Sequence, residues 1–344
     1  MTKNKEITIY DIAQKLNISP ATVSRGLKDH PAINGKTKKK IADMARELGY
    51  RSNTFASNLR NKRTNTIGVI VPRLNSSFMS DVIAGIEKVV NEAGYNLIIS
   101  QSLESAEKEV INASTMFNNR VDGLLVSLAY NADKTEHFEP FIRKEIPLIF
   151  FDRVVELQNC STIVIDNFKA AFDITSHLLE QGCKNLFHIT GNLSRNVYRD
   201  RFNGFIQAMK DHSLSFDSEN LLITDLSPEA GTQAALHLIA MKNKPDGIFV
   251  ANDLCAASCM LQLKKNHIRI PDDMLFAGFN NDIISKIVEP NLTTIDYKGF
   301  EMGEISAQTL INQLNKNQTQ NLTQSIVIRH ELIIRQSSQR TKLI

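Results

Sequence analysis

Ala21, Thr22, Ser24 and Arg25 fall close together in SPATVSRGL, residues 19–27. The chemistry open to them is recognition, not bond-making. A guanidinium fork can grip a base edge, hydroxyls can donate or accept, and a small apolar side chain can meet a thymine methyl. That work needs a helix end held in the major groove. The surrounding residues 8–27, TIYDIAQKLNISPATVSRGL, predict such a device. Ile9, Ile12, Ala13 and Leu16 recur at helical spacing and make one apolar face. Thr8 stands where it can cap this helix, with Asp11 three residues on as the capping-box acid. Asn17 tolerates the left-handed backbone a tight turn requires. Ser19 then caps a second helix, Pro20 takes its first turn, and Val23 and Leu27 are expected to face inward. The pattern is a helix-turn-helix. A third helix is expected over about residues 36–48, capped by Asn34 and ended by Gly49.

Charge separates this segment from an ordinary surface hairpin. Residues 1–63 hold 14 Lys/Arg and 5 Asp/Glu, a net of +9, although the whole chain is only +3. The remainder is therefore about −6, so a basic arm suited to nucleic acid precedes an acidic body.

Composition is that of a soluble globular protein of two or three domains. The start, MTKNKEIT, lacks a signal peptide's apolar core, and no apolar run is long enough to span a membrane. A cytoplasmic location is expected. Cys160, Cys183, Cys255 and Cys259 are scattered, and no second pair accompanies Cys255 and Cys259. They read as buried reduced thiols, with no metal site. Gly-rich phosphate loops, a GxSxG elbow and metal-ligand clusters are missing from the sequence, so neither an enzyme nor a cofactor is expected. His177, His188 and His237 read as structural.

The elements after residue 66 change texture. Apolar runs at 67–71, 96–100, 121–126, 147–151, 162–165, 185–190, 221–224, 246–250 and 275–279 alternate with amphipathic stretches such as 81–93 and 168–181. Continuous apolar strands alternating with helices predict parallel sheets covered on both faces. Nine strands are too many for one small domain. The economical fold is a small all-α head plus an α/β core of two doubly wound parallel-sheet subdomains with a ligand cleft between them. Ligands in such sheets sit beyond the carboxyl ends of the strands.

The motifs TIYDIA…SPATVSR, GYRSNTFASNL, TNTIGVIVP, VDGLLV, FFDR, ANDLCAA, IPDDMLFAGFNND and PNLTTI resemble the lactose-repressor (LacI/GalR) family along essentially the whole chain. The resemblance implies a bacterial transcription regulator: a homodimer that binds double-stranded operator DNA, with a core of the periplasmic sugar-binding type and a small effector, a sugar or sugar derivative, in its cleft. It places a DNA head at 1–50, a hinge at 51–65 and a core at 66–344. Within the core, one subdomain covers about 66–163 and 294–325, the other about 164–291 and 326–340. It puts base reading at the start of the recognition helix, here Pro20 and Ala21, followed by Thr22 and Arg25, with Thr8 and Ser19 beside them. Tyr10, Ser24, Asn34 and the Lys36–Lys40 run would hold phosphates. Leu59 matches the family's hinge leucine, an apolar wedge in the minor groove. Ser52 stands where the family usually has proline.

The effector candidates follow strands: Asn75 and Phe78, Asp152 and Arg153, Asn252 and Asp253, and Asn280, with Arg201 opening a helical segment. Amides, carboxylates and guanidinium groups around an aromatic wall suit a sugar. Plainer roles stand beside these: an Asp152–Arg153 salt bridge, a helix cap for Asp253, a core position for Phe78. Asn280 replaces the aspartate most relatives carry, which suggests altered hydroxyls or an acidic or phosphorylated sugar. A secreted sugar-binding protein would lack the basic head. Control by a partner protein or a co-repressor also fits the residues. The short C-terminal end, HELIIRQSSQRTKLI, carries no heptad leucines, so a dimer is expected.

Overall fold

The computed structural model describes residues 7–50, 63–131, 134–315 and 323–340. The chain divides into two compact units, Met1–Thr64 and Asn65–Ile344.

The first unit holds α1 (Ile9–Leu16), α2 (Pro20–Leu27) and α3 (Gly35–Glu47). They pack around Ile12, Ala13, Val23, Ile41 and Ala45, with Ile9, Leu16, Met44 and Leu48 at the margin. The helical spacing read from the sequence thus becomes a small core. One residue departs from it: Leu27 is 37 % exposed. The buried stripe of α2 runs from Val23 to Gly26 instead. A Cβ at Gly26 would lie 2.4 Å from Ile41 Cδ1, so the missing side chain lets α3 close over α2 at that level.

The second unit contains β1 (Thr66–Val71), β2 (Asn96–Gln101), β3 (Gly123–Val126), β4 (Leu148–Phe151) and β5 (Ser161–Ile165). It continues with β6 (Leu186–Thr190), β7 (Leu221–Ile223), β8 (Gly247–Val250), β9 (Leu275–Ala277), β10 (Thr294–Asp296), β11 (Ser325–Ile328) and β12 (Glu331–Ile333). Every strand expected from the apolar runs is present. They form a six-stranded sheet in the order β11-β5-β4-β3-β1-β2 and a four-stranded sheet in the order β7-β6-β8-β9. All pairings in both sheets are parallel. The order reverses between β1 and β3 in one sheet and between β6 and β8 in the other, the switch points where α/β sheets open a crevice. Coverage is incomplete at the edge, because β2 leaves Ile98 and Ile99 exposed.

The expected subdomain boundaries at 163/164 and 325/326 fall inside β5 and β11. Both strands belong wholly to the six-stranded sheet, held by the register Ser325↔Thr162 to Ile328↔Ile165. A strand passes to its sheet as a unit, so each crossing lies after these strands. A short antiparallel ribbon of β10 and β12 accompanies the crossings. Helix Gly299–Asn315 packs on helix Ser77–Glu92 at glycines: a Cβ at Gly303 would meet Val82 O at 2.0 Å, and one at Gly85 would meet Phe300 O at 2.1 Å. Among the described residues, no helix is long and apolar enough to cross a membrane.

Candidate functional site

In the head, the turn is built as its residue types require. Thr8 donates from its backbone N–H and its hydroxyl to the Asp11 carboxylate, at 2.8 and 2.6 Å. Asn17 ends α1 in the left-handed region, φ 52°. Ser19 Oγ accepts the Thr22 N–H at 3.1 Å, and Pro20 opens α2. The Thr22 hydroxyl pairs with Ser19 Oγ at 2.8 Å, so both hydroxyls are partly spent within the protein. Ala21 and Arg25 are exposed one turn apart, with Pro20, Thr22 and Ser24 half-buried and Tyr10 exposed at the start of α1. Asn34 Oδ1 accepts the Thr37 N–H at 2.8 Å and caps α3. Lys38 is not a free phosphate ligand. Its Nζ lies 2.7 Å from Asp29 Oδ1 and donates to Asp29 O at 3.1 Å, pinning the loop before α3. Lys36, Lys39 and Lys40 remain exposed. Leu59 and Ser52 lie outside the described residues.

In the core, the strand ends of both sheets face one cavity of about 460 Å³. Seven of the eight effector candidates line it: Asn75, Phe78, Asp152, Arg153, Arg201, Asn252 and Asn280. Phe78 stacks on Tyr297, centroids 4.4 Å apart and planes 8° apart, and both rings are buried in the core, so Phe78 takes the plainer core position and reaches the cavity only at its margin. Asp152 holds a left-handed backbone, φ 58°. Its Oδ1 accepts the Tyr297 hydroxyl at 2.6 Å and its Oδ2 the Ser127 hydroxyl at 3.2 Å. Burial, with the Asp152 carboxylate adding to it, keeps the Tyr297 hydroxyl protonated far above the usual range. Arg153 does not pair with Asp152. It donates to Glu104 at 2.7 Å and to the Tyr198 hydroxyl at 3.1 Å.

Arg201 is buried. It donates to Asn167 Oδ1 at 2.8 Å and Ala251 O at 2.9 Å, with its guanidinium 3.5 Å from the centroid of the Phe279 ring. Burial lowers its pKa, although Tyr297, Tyr198 and Asp152 nearby favour the charged form. Asn252 Oδ1 accepts the Cys255 N–H at 3.0 Å and caps helix Asp253–Lys265, and the residue also lines the cavity.

Asp253 is the exception. It is neither in the cavity nor the helix cap. Fully buried, it accepts the Thr294 hydroxyl at 2.7 Å and the Asp282 N–H at 2.9 Å. The preceding residue takes the cap, which frees Asp253 to tie the loop after β9 to β10.

The head and the core each have relatives. Residues 8–53 match the model of the bacterial regulatory proteins, lacI family, and residues 175–338 match a periplasmic binding protein-like domain. Over 332 residues the chain is 30 % identical to HTH-type transcriptional regulator RegA of Clostridium saccharobutylicum, covering 96 % of this chain and 99 % of that one.

The chain belongs to the lacI family.

It is 29 % identical over 334 residues to Catabolite control protein A of Priestia megaterium, covering 96 % and 99 % of the two chains. The fold matches the lac repressor dimer bound to operator and the anti-inducer ONPF, with TM-score 0.85, 21 % identity, 98 % of this chain covered and 100 % of that one. This lacI-family chain is thus a transcriptional regulator with a helix-turn-helix head and a periplasmic-binding-protein-like core.

Within that frame, sequence reading missed Arg73, Glu104, Tyr198, Asp225, Asp282 and Tyr297, all of which line the cleft. The strand-end rule could have found Arg73, Glu104, Asp225 and Asp282, which follow β1, β2, β7 and β9. Tyr198 comes from a helix, and Tyr297 directly follows β10, a ribbon strand that the apolar runs did not reveal. Asp282 also corrects the inference drawn from Asn280. It lines the same corner with its side chain bonded to Asn280, so the corner keeps a negative charge. The loss of an aspartate at 280 therefore does not favour an acidic ligand. His188 is a core group: burial pushes it down to about 3, and its Nδ1 donates to Phe249 O at 3.0 Å. All four cysteines are buried.

Proposed function

We propose that this chain is a cytoplasmic, non-enzymatic transcriptional repressor that binds operator DNA as a homodimer and releases it when a small polyhydroxylated effector enters the core cleft. The observation that carries the reading is one chain joining two devices. A helix pair in the basic head exposes Ala21 and Arg25, and a cavity of about 460 Å³ is lined by amides, carboxylates and guanidinium groups. Two heads related by a two-fold axis would read two half-sites. The exposed Ile98 and Ile99 of β2, with Val110 and Ile111 on helix Ala106–Asn118, supply apolar surface for a second copy. In the head, Pro20, Ala21, Thr22 and Arg25 read bases. Thr8, Tyr10, Ser19, Ser24 and Asn34 set the register on the backbone, and Leu59 acts as the minor-groove wedge.

In the core, Asn75, Phe78, Asp152, Arg153, Arg201, Asn252 and Asn280 contact the effector, with Asp253 holding the loop behind them. Closure of the two sheets on a ligand would couple to the heads by about 1–3 kcal/mol, a roughly five- to 150-fold change in affinity.

The test selects an operator from a random-sequence DNA pool, then measures binding by fluorescence anisotropy. Arg25→Ala should lose about 1–3 kcal/mol and relax preference at one base pair per half-site. A thermal-shift screen against sugars identifies the effector, and its addition should weaken operator binding. Failure to enrich any DNA sequence would overturn the reading. Tighter operator binding on addition would make the ligand a co-repressor.

A further inference from the structure

Two of the three arginines of the cleft are already committed, and the third is only loosely held. Arg153 donates to Glu104 and Tyr198, Arg201 donates to Asn167 and Ala251, and Arg73 Nε lies 3.8 Å from Glu104. The carboxylates are less evenly used. Glu104 is paired with arginine, and Asp152 takes two hydroxyl protons. Asp225 and Asp282 line the cavity without an ion pair among the described residues. Asp225 is held ionised chiefly by hydrogen bonds from Ser227, with Arg73 contributing at longer range.

Asp282 is the more telling of the two. It occupies the N-cap position of helix Ile283–Ile287, yet its side chain makes no capping hydrogen bond. An aspartate at that position ordinarily spends its carboxylate on a backbone N–H. Here the Asp282 backbone N–H is fixed by Asp253 Oδ2 at 2.9 Å, and the carboxylate belongs to the cleft wall beside Asn280. Burial pushes the Asp282 carboxyl up to about 6, still ionised at neutral pH, with the Asn280 side chain opposing the rise and Asp81, on helix Ser77–Glu92, adding like charge. A half-buried carboxylate with one amide partner and a like charge nearby lacks a cation.

We propose that the cleft selects an effector carrying an amino group beside its hydroxyls, and that Asp282 is the carboxylate that binds the ammonium. This rests on the cleft being the effector site. An ammonium donates charge-assisted hydrogen bonds to the carboxylate and offsets the repulsion from Asp81. An anionic ligand would find Arg153 and Arg201 already engaged and would meet Asp282 and Asp225 beside them. A neutral one would leave the Asp282 charge without a counter-charge.

The experiment titrates the full-length protein by calorimetry, after a thermal-shift screen. The probes are D-glucosamine, D-galactosamine and D-mannosamine, each beside its neutral parent sugar and its N-acetyl form. N-acetylation keeps the ring and removes the charge. At least one amino sugar should bind roughly ten- to a hundredfold more tightly than both of its counterparts, the scale of one hydrogen bond to a charged group. Asp282→Asn should bring that ratio close to one without lowering the unliganded melting temperature at neutral pH, since it removes a charge that burial disfavours. If the variant loses stability, the N-acetyl comparison on the unaltered protein decides alone. Equal or tighter binding of a neutral or N-acetyl sugar overturns the amine proposal and leaves the effector site standing. An amine preference that survives Asp282→Asn removes the role of Asp282. No binding by either set overturns the sugar reading of the cleft itself.

Discussion

Asp253→Asn should make the core more stable at neutral pH, against the usual effect of removing a doubly hydrogen-bonded buried side chain. Asp253 is fully buried, and burial pushes its pKa from the ordinary 3.8 up to about 7, even though the Thr294 hydroxyl and the Asp282 N–H favour the charged form. Between those two pH values the native state keeps a proton that the unfolded chain has released. The contribution of this group is fully present below about pH 4, declines as pH rises to about 7, and is constant above. A displacement of about three units at 1.36 kcal/mol each makes the loss about 4 kcal/mol in order of magnitude.

Asparagine avoids this loss. Its carbonyl can accept the Asp282 N–H, and its amide can donate to the Thr294 hydroxyl, which then accepts instead of donating. The assay is urea denaturation of both proteins at several pH values from about 4 to about 8. The variant's stability minus that of the parent should rise by about 4 kcal/mol across this range and flatten above about pH 7. A difference that is independent of pH would refute the reasoning, because the carboxyl would then titrate alike in both states. A difference that falls with pH would mean that the two hydrogen bonds outweigh burial.

Three other outcomes follow from single contacts. Tyr297→Phe removes the 2.6 Å donor to Asp152 while keeping the ring on Phe78, and should cost about 1–3 kcal/mol in denaturant titration; no loss would mean that water replaces the hydroxyl. Gly303→Ala places a Cβ 2.0 Å from Val82 O, where a backbone must move, and should cost about 3 kcal/mol or more by calorimetry; an unchanged melting temperature would show that the two helices can slide apart freely. Asn34→Ala deletes the α3 cap and should destabilise the head by about 1 kcal/mol in its thermal unfolding followed by NMR; an unaltered head would mean that Asn34 matters to DNA alone.

The head was nearly all legible because its signals are local. Caps at Thr8, Ser19 and Asn34, a turn at Asn17 and an apolar stripe through Ile12 and Val23 act within a few residues of the atoms they bond. Leu27 was misplaced because the close approach at Gly26 depends on Ile41, fifteen places on in sequence and on another helix. In the core, the strands showed as apolar runs. The three-residue ribbon strands β10 and β12 are too short to carry a period, and β11 was cut by an expected boundary that pairing with β5 overrides.

The cleft divides the same way. Sequence alone determined the two-device plan, the basic head and the strand ends at which Asn75, Asp152, Asn252 and Asn280 would meet. These follow from composition, charge and the rule that parallel sheets open at their carboxyl edges. Only the tertiary structure decided how charge is shared there: that Arg153 belongs to Glu104, that Tyr297 supplies the proton for Asp152, that Asp253 is a tie behind the wall, and that Asp282 is left facing the cavity. The first three join residues between about thirty and 145 positions apart. The sequence specifies the residue at each position, but partners are chosen by the packing of two sheets, and a hydrogen bond depends on that distance in space.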